Sequence, residues 1–200
     1  MKLLHCLVLA TPLLTVACFH QNGEEYFPAP SSSGRSEYSI TYRNASGVVQ
    51  HASMVSYGDG EETINGKRYT KMIADYSEMP GMDRSVGFTR RTREGIYVIE
   101  GARDQPEHIE TRFPVKVGTS WTRVSPKTSV DNKAVGLETV QLGDNIFHQC
   151  LKIDFTSRGA LGQPSCQGSE YLAPDVGLVK MVTTCDNDVT MTISLTKYKR

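Results

Sequence analysis

The segment Val189-Thr190-Met191-Thr192-Ile193-Ser194-Leu195 carries an apolar side chain at every second position and a small polar one between each pair. Successive side chains of a β-strand point to opposite faces, so this alternation describes a strand with one buried and one wetted face. Tyr38, Ile40 and Tyr42 repeat the pattern far upstream. Between these two points, turn signals separate further apolar runs at Gly58-Asp59-Gly60, Asn65-Gly66, Gly143-Asp144-Asn145 and Gly159-Ala160-Leu161-Gly162. Asn-Gly and Asp-Gly pairs tolerate positive φ, which tight hairpins require. No stretch of ten or more residues joins helical spacing to a capping signal. The reading is all-β: about ten strands in antiparallel meander sheets, forming a sandwich or an open barrel.

Laid side by side, residues 26–105 and 112–200 show corresponding segments. Tyr26-Phe27-Pro28 answers Arg112-Phe113-Pro114, Glu62-Thr63-Ile64 answers Glu138-Thr139-Val140, and the run Tyr69 to Ile73 answers Cys150 to Ile153. Gly95-Ile96-Tyr97-Val98 answers Gly177-Leu178-Val179-Lys180. Two readings stay open, a pseudo-repeat of two meanders that bury one shared face, or chance likeness among short β sequences.

The amino terminus has a different character. Lys2 is followed by an apolar stretch that ends in small residues at Ala17, the layout of an export signal. A spanning helix needs about 20 apolar residues, whereas this run contains Pro12 and stops at Cys18. Leu14-Thr15-Val16-Ala17-Cys18 resembles the lipobox of bacterial lipoproteins, although Thr15 stands where that family prefers an aliphatic residue. The resemblance implies cleavage after Ala17 and a diacylglyceryl group on Cys18. Each buried methylene stabilises membrane attachment by about 0.8 kcal/mol, so two or three acyl chains hold firmly where one is marginal. Residues 1–17 thus form the signal, 18–35 the lipid anchor with a Pro/Ser/Gly-rich flexible tether, and 36–200 the β domain.

Lys and Arg number 22 and Asp and Glu 22. That balance, without blocks of one sign, recommends neither nucleic acid nor an anionic membrane surface as a partner, and the group Arg84, Arg90, Arg91, Arg93 reads as a solvated strand face. Export permits disulfides. Folding 168–173 back on 177–184 sets Cys166 nearly opposite Cys185, the expected disulfide, and leaves Cys150 free with no role assigned. The cysteine spacings match no zinc pattern, and Asp59, Glu61 and Glu62 lack the spaced oxygen ligands of a calcium loop. No metal and no cofactor are expected.

The second half carries the most distinctive motifs. Phe113-Pro114-Val115-Lys116-Val117-Gly118-Thr119-Ser120-Trp121-Thr122, Cys150-Leu151-Lys152-Ile153, and Tyr171-Leu172-Ala173-Pro174-Asp175-Val176-Gly177-Leu178-Val179-Lys180 resemble repeated motifs of uncharacterised envelope proteins called TapB-like. In that family a glycine is usual where Asp175 stands. The resemblance implies an antiparallel β fold and an envelope location, and no chemistry. Read from the residues alone, the same motifs are structural: Trp121 buries a large face while its N–H finds a partner, and Pro174 and Gly177 bracket a turn.

A catalytic nucleophile needs an activating base and an oxyanion donor. No Gly-x-Ser-x-Gly elbow or phosphate loop occurs, and His51, His108 and His148 lie scattered, as surface histidines do. No catalytic residue is named. The expectation is a non-catalytic envelope lipoprotein that serves as a protein-interaction or assembly module; the alternative is a carrier of a lipid or another hydrophobic ligand. A carrier calls for a deep apolar cavity, an interaction module for an exposed apolar patch or strand edge. Asp after the lipidated cysteine tends to retain proteobacterial lipoproteins on the inner membrane, so Phe19 favours the periplasmic side of the outer membrane where the source has two membranes.

Overall fold

A computed structural model of the chain describes residues 23–79, 84–125, 128–159 and 165–199. After one 3-10 turn at Glu24–Tyr26 the first half is β1 (Arg35–Arg43), β2 (Val49–Ile64), β3 (Lys67–Ser77), β4 (Arg84–Arg91), β5 (Gly95–Glu100) and β6 (His108–Arg112). The second half is β7 (Ser120–Val124), β8 (Thr128–Leu142), β9 (Asn145–Gly159), β10 (Cys166–Ala173), β11 (Gly177–Cys185) and β12 (Thr190–Lys199). The alternation and turn signals predict about ten strands. Two of the twelve, β6 and β7, have five residues each, too few for alternation to single them out.

All twelve strands join one antiparallel sheet in the order β6-β5-β4-β3-β2-β1-β12-β11-β10-β9-β8-β7. Every strand therefore lies beside its sequence neighbour except β6 and β7, and β1 closes against β12. The sheet curls into a nearly closed barrel, and side chains of β7 reach β6 across the remaining seam. Closure into a barrel removes most of the exposed edges that a flat sheet of this width would carry.

Register explains where the core sits. Tyr38 stands between Leu195 and Met54, and Ile40 between Ile193 and Ala52, so the alternation read from the sequence lines one face. That face holds a cluster of Tyr38, Ile40, Met54, Val140, Cys150, Ala173, Val179, Ile193 and Leu195. A second cluster joins Tyr26, Val115, Ala134, Leu151, Ile153 and Leu172. Thr70 turns towards Pro30, to whose carbonyl it donates a hydrogen bond, so Tyr69 points to the opposite face. There it packs with Ile64, Phe88 and Ile99 in a third cluster.

Asn65-Gly66 makes the β2–β3 hairpin with φ of 50° and 75°. Gly143 and Asp144 turn β8 into β9. Gly58-Asp59-Gly60, read as a turn, instead lies inside β2, where the register with β3 slips between Gly58 and Glu61. Its glycines serve close approach and bending: a Cβ on Gly58 would stand 2.0 Å from the Ser31 carbonyl oxygen. Segments paired in the two halves of the sequence fall on strands of equal rank, Tyr69–Ile73 on β3 and Cys150–Ile153 on β9, Gly95–Val98 on β5 and Gly177–Lys180 on β11.

Residues 23–34, read as part of a tether, are built into the fold. Tyr26 is 2% exposed, the Asp175 amide donates to the Glu25 carbonyl, and the Gly58 amide donates to that of Gly34. Composition marked this segment as a linker, but its burial comes from partners far along the chain. Gly58→Ala should therefore displace the segment and cost about 1–3 kcal/mol. Gly136→Ala, where a Cβ meets nothing within 4 Å, should stay within about 0.5 kcal/mol of the parent. Urea denaturation of the two variants checks the contrast.

Candidate functional site

Two regions concentrate chemistry, the seam between β6 and β7 and the outer edge of β8. At the seam no backbone ladder forms among the described residues, and side chains bridge instead. The indole N–H of Trp121 donates to the Glu110 carbonyl at 3.2 Å, and Arg123 forms an ion pair with the Glu110 carboxylate. Trp121 thus packs and finds its partner, as its sequence context suggests.

His108, beside Glu110, has 8% of its side chain exposed. It is a buried histidine, against the surface reading. Neither ring nitrogen has a hydrogen-bond partner among the described residues, and Nε2 lies 3.6 Å from a Glu100 oxygen and 3.8 Å from a Glu110 oxygen. Burial pushes the Glu110 carboxyl up, but His108 and Arg123 outweigh it and hold the acid below its ordinary range. Glu170, on β10, is raised to about 7, chiefly by burial, with Arg123 opposing and the Glu110 charge adding. Glu100, His108, Glu110, Arg123 and Glu170, five residues from four strands, thus form one polar cluster at the seam.

A second ion-pair group lies where the loop before β6 meets β3 and β4. Glu107 accepts from Arg90 Nε at 2.6 Å, from Arg90 Nη2 at 3.0 Å and from Lys67 Nζ at 2.7 Å. Tyr69 donates to the same carboxylate, and the Arg90 guanidinium lies 4.0 Å from the Tyr97 ring centroid. The Arg90 bonds lead in holding the Glu107 carboxyl down at about 2. Arg91 pairs with Glu24 at 2.7 Å and lies over Phe113, while Arg84 pairs with Asp75. The arginines read as a solvated face are mostly tied down. Alternation alone could not reveal this, because their partners Glu107 and Glu24 sit in irregular segments.

Cys18 lies outside the described residues. Cys166 and Cys185 face each other across β10 and β11 and are joined by a disulfide, and Cys150 is a fully buried free thiol. His51 and His148 are exposed. Asp59, Glu61 and Glu62 pair with Lys71, Arg68 and Arg103 respectively, which spreads them along β2 rather than gathering them at a turn. The turn after β10 gives Asp175 a φ of 60°, a left-handed conformation that glycine adopts most readily.

The edge of β8 was not legible beforehand. β7 pairs with β8 only over Ser129–Lys133, and Gly118 and Thr119 bond Ala134. From there to Leu142 the strand has no backbone partner on that side among the described residues. Val135 and Leu137 are 37% and 39% exposed on this stretch, and Ile146 on β9 is 54% exposed. Unpaired main chain beside exposed apolar side chains is what strand addition requires.

No protein-family model and no curated protein matches the chain. Solved structures similar to it include a protein from Bacteroides fragilis NCTC 9343 described as exported, with a YmcC-like fold. The TM-score is 0.54 at 12% identity, over 86% of this chain and 98% of that one. A protein from Parabacteroides distasonis ATCC 8503, described as a lipoprotein, gives a TM-score of 0.52 at 13% identity, over 86% and 97%. At such identity the likeness is one of fold.

Glu170 and Glu107 have opposite linkage. Glu170, raised, contributes stability that is complete below its unfolded pKa and lost as pH rises from about 4.5 to about 7. Glu107, depressed, contributes stability present above its unfolded pKa and lost as pH falls from about 4.5 to about 2. Glu170→Gln should stabilise the protein at pH 8, by on the order of 3 kcal/mol, and change little near pH 4. Glu107→Gln should destabilise it at pH 7 and converge with the parent at the acid end. Urea midpoints measured across pH read both; equal effects at all pH values contradict the assignment.

Proposed function

We propose that the protein is a lipid-anchored component of a bacterial cell envelope, without catalysis of its own, that binds a partner protein by strand addition along β8. Support for the anchor comes from the signal layout and from Ala17-Cys18. Similar folds in proteins described as exported and as a lipoprotein agree with it. Phe19 directly after the anchor favours the periplasmic face of an outer membrane where the source has two membranes.

The observation that carries the binding reading is the unpaired run of β8 beyond Ala134, with Val135 and Leu137 exposed upon it. An extended peptide gains main-chain hydrogen bonds at such an edge and side-chain contacts at alternate positions. Native edges are commonly blunted by charge, proline or short length. Here Lys133 and Glu138 flank the stretch but leave its centre apolar.

A carrier needs a roomy apolar cavity. The cavity beside the amino-terminal segment, lined by Pro28, Tyr38, Ile96 and Val176 among others, measures about 260 Å³; cavities of about 420 to 580 Å³, within the roughly 300–1,000 Å³ of small-molecule sites, have polar and charged side chains in their walls, Asp131, Asp154, Glu78 and Glu100 among them. Tyr26 adds its buried ring to the nearby second cluster.

A photo-crosslinking residue in place of Thr139, in protein expressed in its native envelope, tests the edge. The expected result is a discrete adduct that disappears when Val135→Lys and Leu137→Lys are combined, with the melting temperature unchanged. Adducts of equal yield in the charged-edge variant contradict strand addition. A small molecule retained through native mass spectrometry, with no adduct, supports the carrier instead.

A further inference from the structure

The position at which the amino-terminal segment enters the fold fixes which part of the domain can meet the anchoring membrane. Gly23 is wedged against the main chain of Val115: a Cβ there would stand 1.9 Å from the Val115 carbonyl oxygen. Glu24 is held by Arg91, and the Glu25 carbonyl accepts from Asp175. Three successive residues are thus pinned at one rim. Cys18 precedes Gly23 by five residues, which span at most about 18 Å when fully extended. A compact chain of this size is about 40 Å across, more than twice that leash.

The rim beside Gly23 has a composition suited to a bilayer. Arg93 projects from the β4–β5 turn, Arg112 ends β6, and Lys116 adjoins Val115; all three are exposed, with no ion pair among the described residues. The carboxylates of this rim include Glu94, Asp175, Glu25 and Glu24, the last held by Arg91, so the cationic character is local in a chain whose charge is balanced overall. At the tip of the β6–β7 crossover, Lys116 to Thr119 forms a turn closed by the Thr119 amide on the Lys116 carbonyl. Val117 leads this turn, 51% exposed. A protruding aliphatic side chain among basic ones is the pattern of an interfacial contact with anionic lipid.

We propose that this rim, Arg93, Arg112, Lys116 and Val117, docks on the anionic headgroups of the membrane that holds Cys18, orienting the domain on its anchor. The proposal rests on the lipid-anchor reading. It gives the domain a defined orientation, because the chain enters the fold at the same end of the domain as the rim.

The test uses the full, processed protein reconstituted into vesicles of phosphatidylethanolamine with phosphatidylglycerol. Cys166 and Cys185 are joined and Cys150 is buried, so an introduced cysteine is the accessible thiol for a nitroxide. The label at Val117→Cys should lose collisions with an aqueous nickel chelate several-fold on vesicles relative to detergent. At Val124→Cys, on the far end of β7 and 61% exposed, it should keep them. Combining Arg93→Gln, Arg112→Gln and Lys116→Gln should lower the docked-to-undocked ratio by about fivefold per charge removed, as should replacing phosphatidylglycerol by phosphatidylcholine. Protein that floats with the vesicles yet shows equal accessibility at both positions overturns the docking and leaves the anchor standing. Protein that neither floats nor carries acyl chains overturns both.

Discussion

The ladder between β1 and β12 ties the beginning of the domain to its end. Nine residue pairs, from Arg35 with Lys199 to Arg43 with Thr190, join two six-stranded meanders that would otherwise each present an unsatisfied edge and a bare apolar face. Tyr38, Ile40, Ile193 and Leu195 meet on the inner side of that ladder. Its pairs have the longest sequence separations in the sheet, from 147 for Arg43 with Thr190 to 164 for Arg35 with Lys199, and non-local pairing of this kind slows folding. At the opposite side, where β6 and β7 meet, the same closure is made by Trp121 and Arg123 on Glu110. Main-chain hydrogen bonds hold one side of the barrel and titratable side chains the other.

The entry of the chain depends on that closure. Residues 23–34 lie along the sheet only because glycines at distant positions make room for them, Gly58 for Ser31 most directly. Tyr26 reaches the cluster of Leu151, Ile153 and Leu172, and its hydroxyl is buried without a partner among the described residues. The same segment leads to Cys18. Cys18 and the core are therefore close along the chain, with four residues between that cysteine and the first fixed glycine.

Much of the architecture was legible in local pattern. Period-two alternation over Val189–Leu195 and Tyr38–Tyr42 is a strand signal whatever the context, and Asn65-Gly66 is a hairpin whose two positive φ angles the residue types announce. The Cys166–Cys185 pairing followed from folding one hairpin. What escaped was tertiary. Pro- and Ser-rich residues 28–34 have the composition of a linker, and nothing local says that Gly58 and Thr70 will hold them. Gly58-Asp59-Gly60 looks like a turn, but a bulge in a long strand uses the same residues. His108, Arg90 and Glu170 were illegible as buried groups because their environment is made by other strands. The free edge of β8 exists only because β7 is short.

Lipid on Cys18 is the claim on which localisation, orientation and partner access all rest. Its most direct test is the intact mass and amino-terminal peptide of the mature protein isolated from its native envelope. The account predicts a chain that begins at Cys18 and carries a diacylglyceryl group. A mature chain that begins elsewhere, or a free thiol on Cys18, contradicts it.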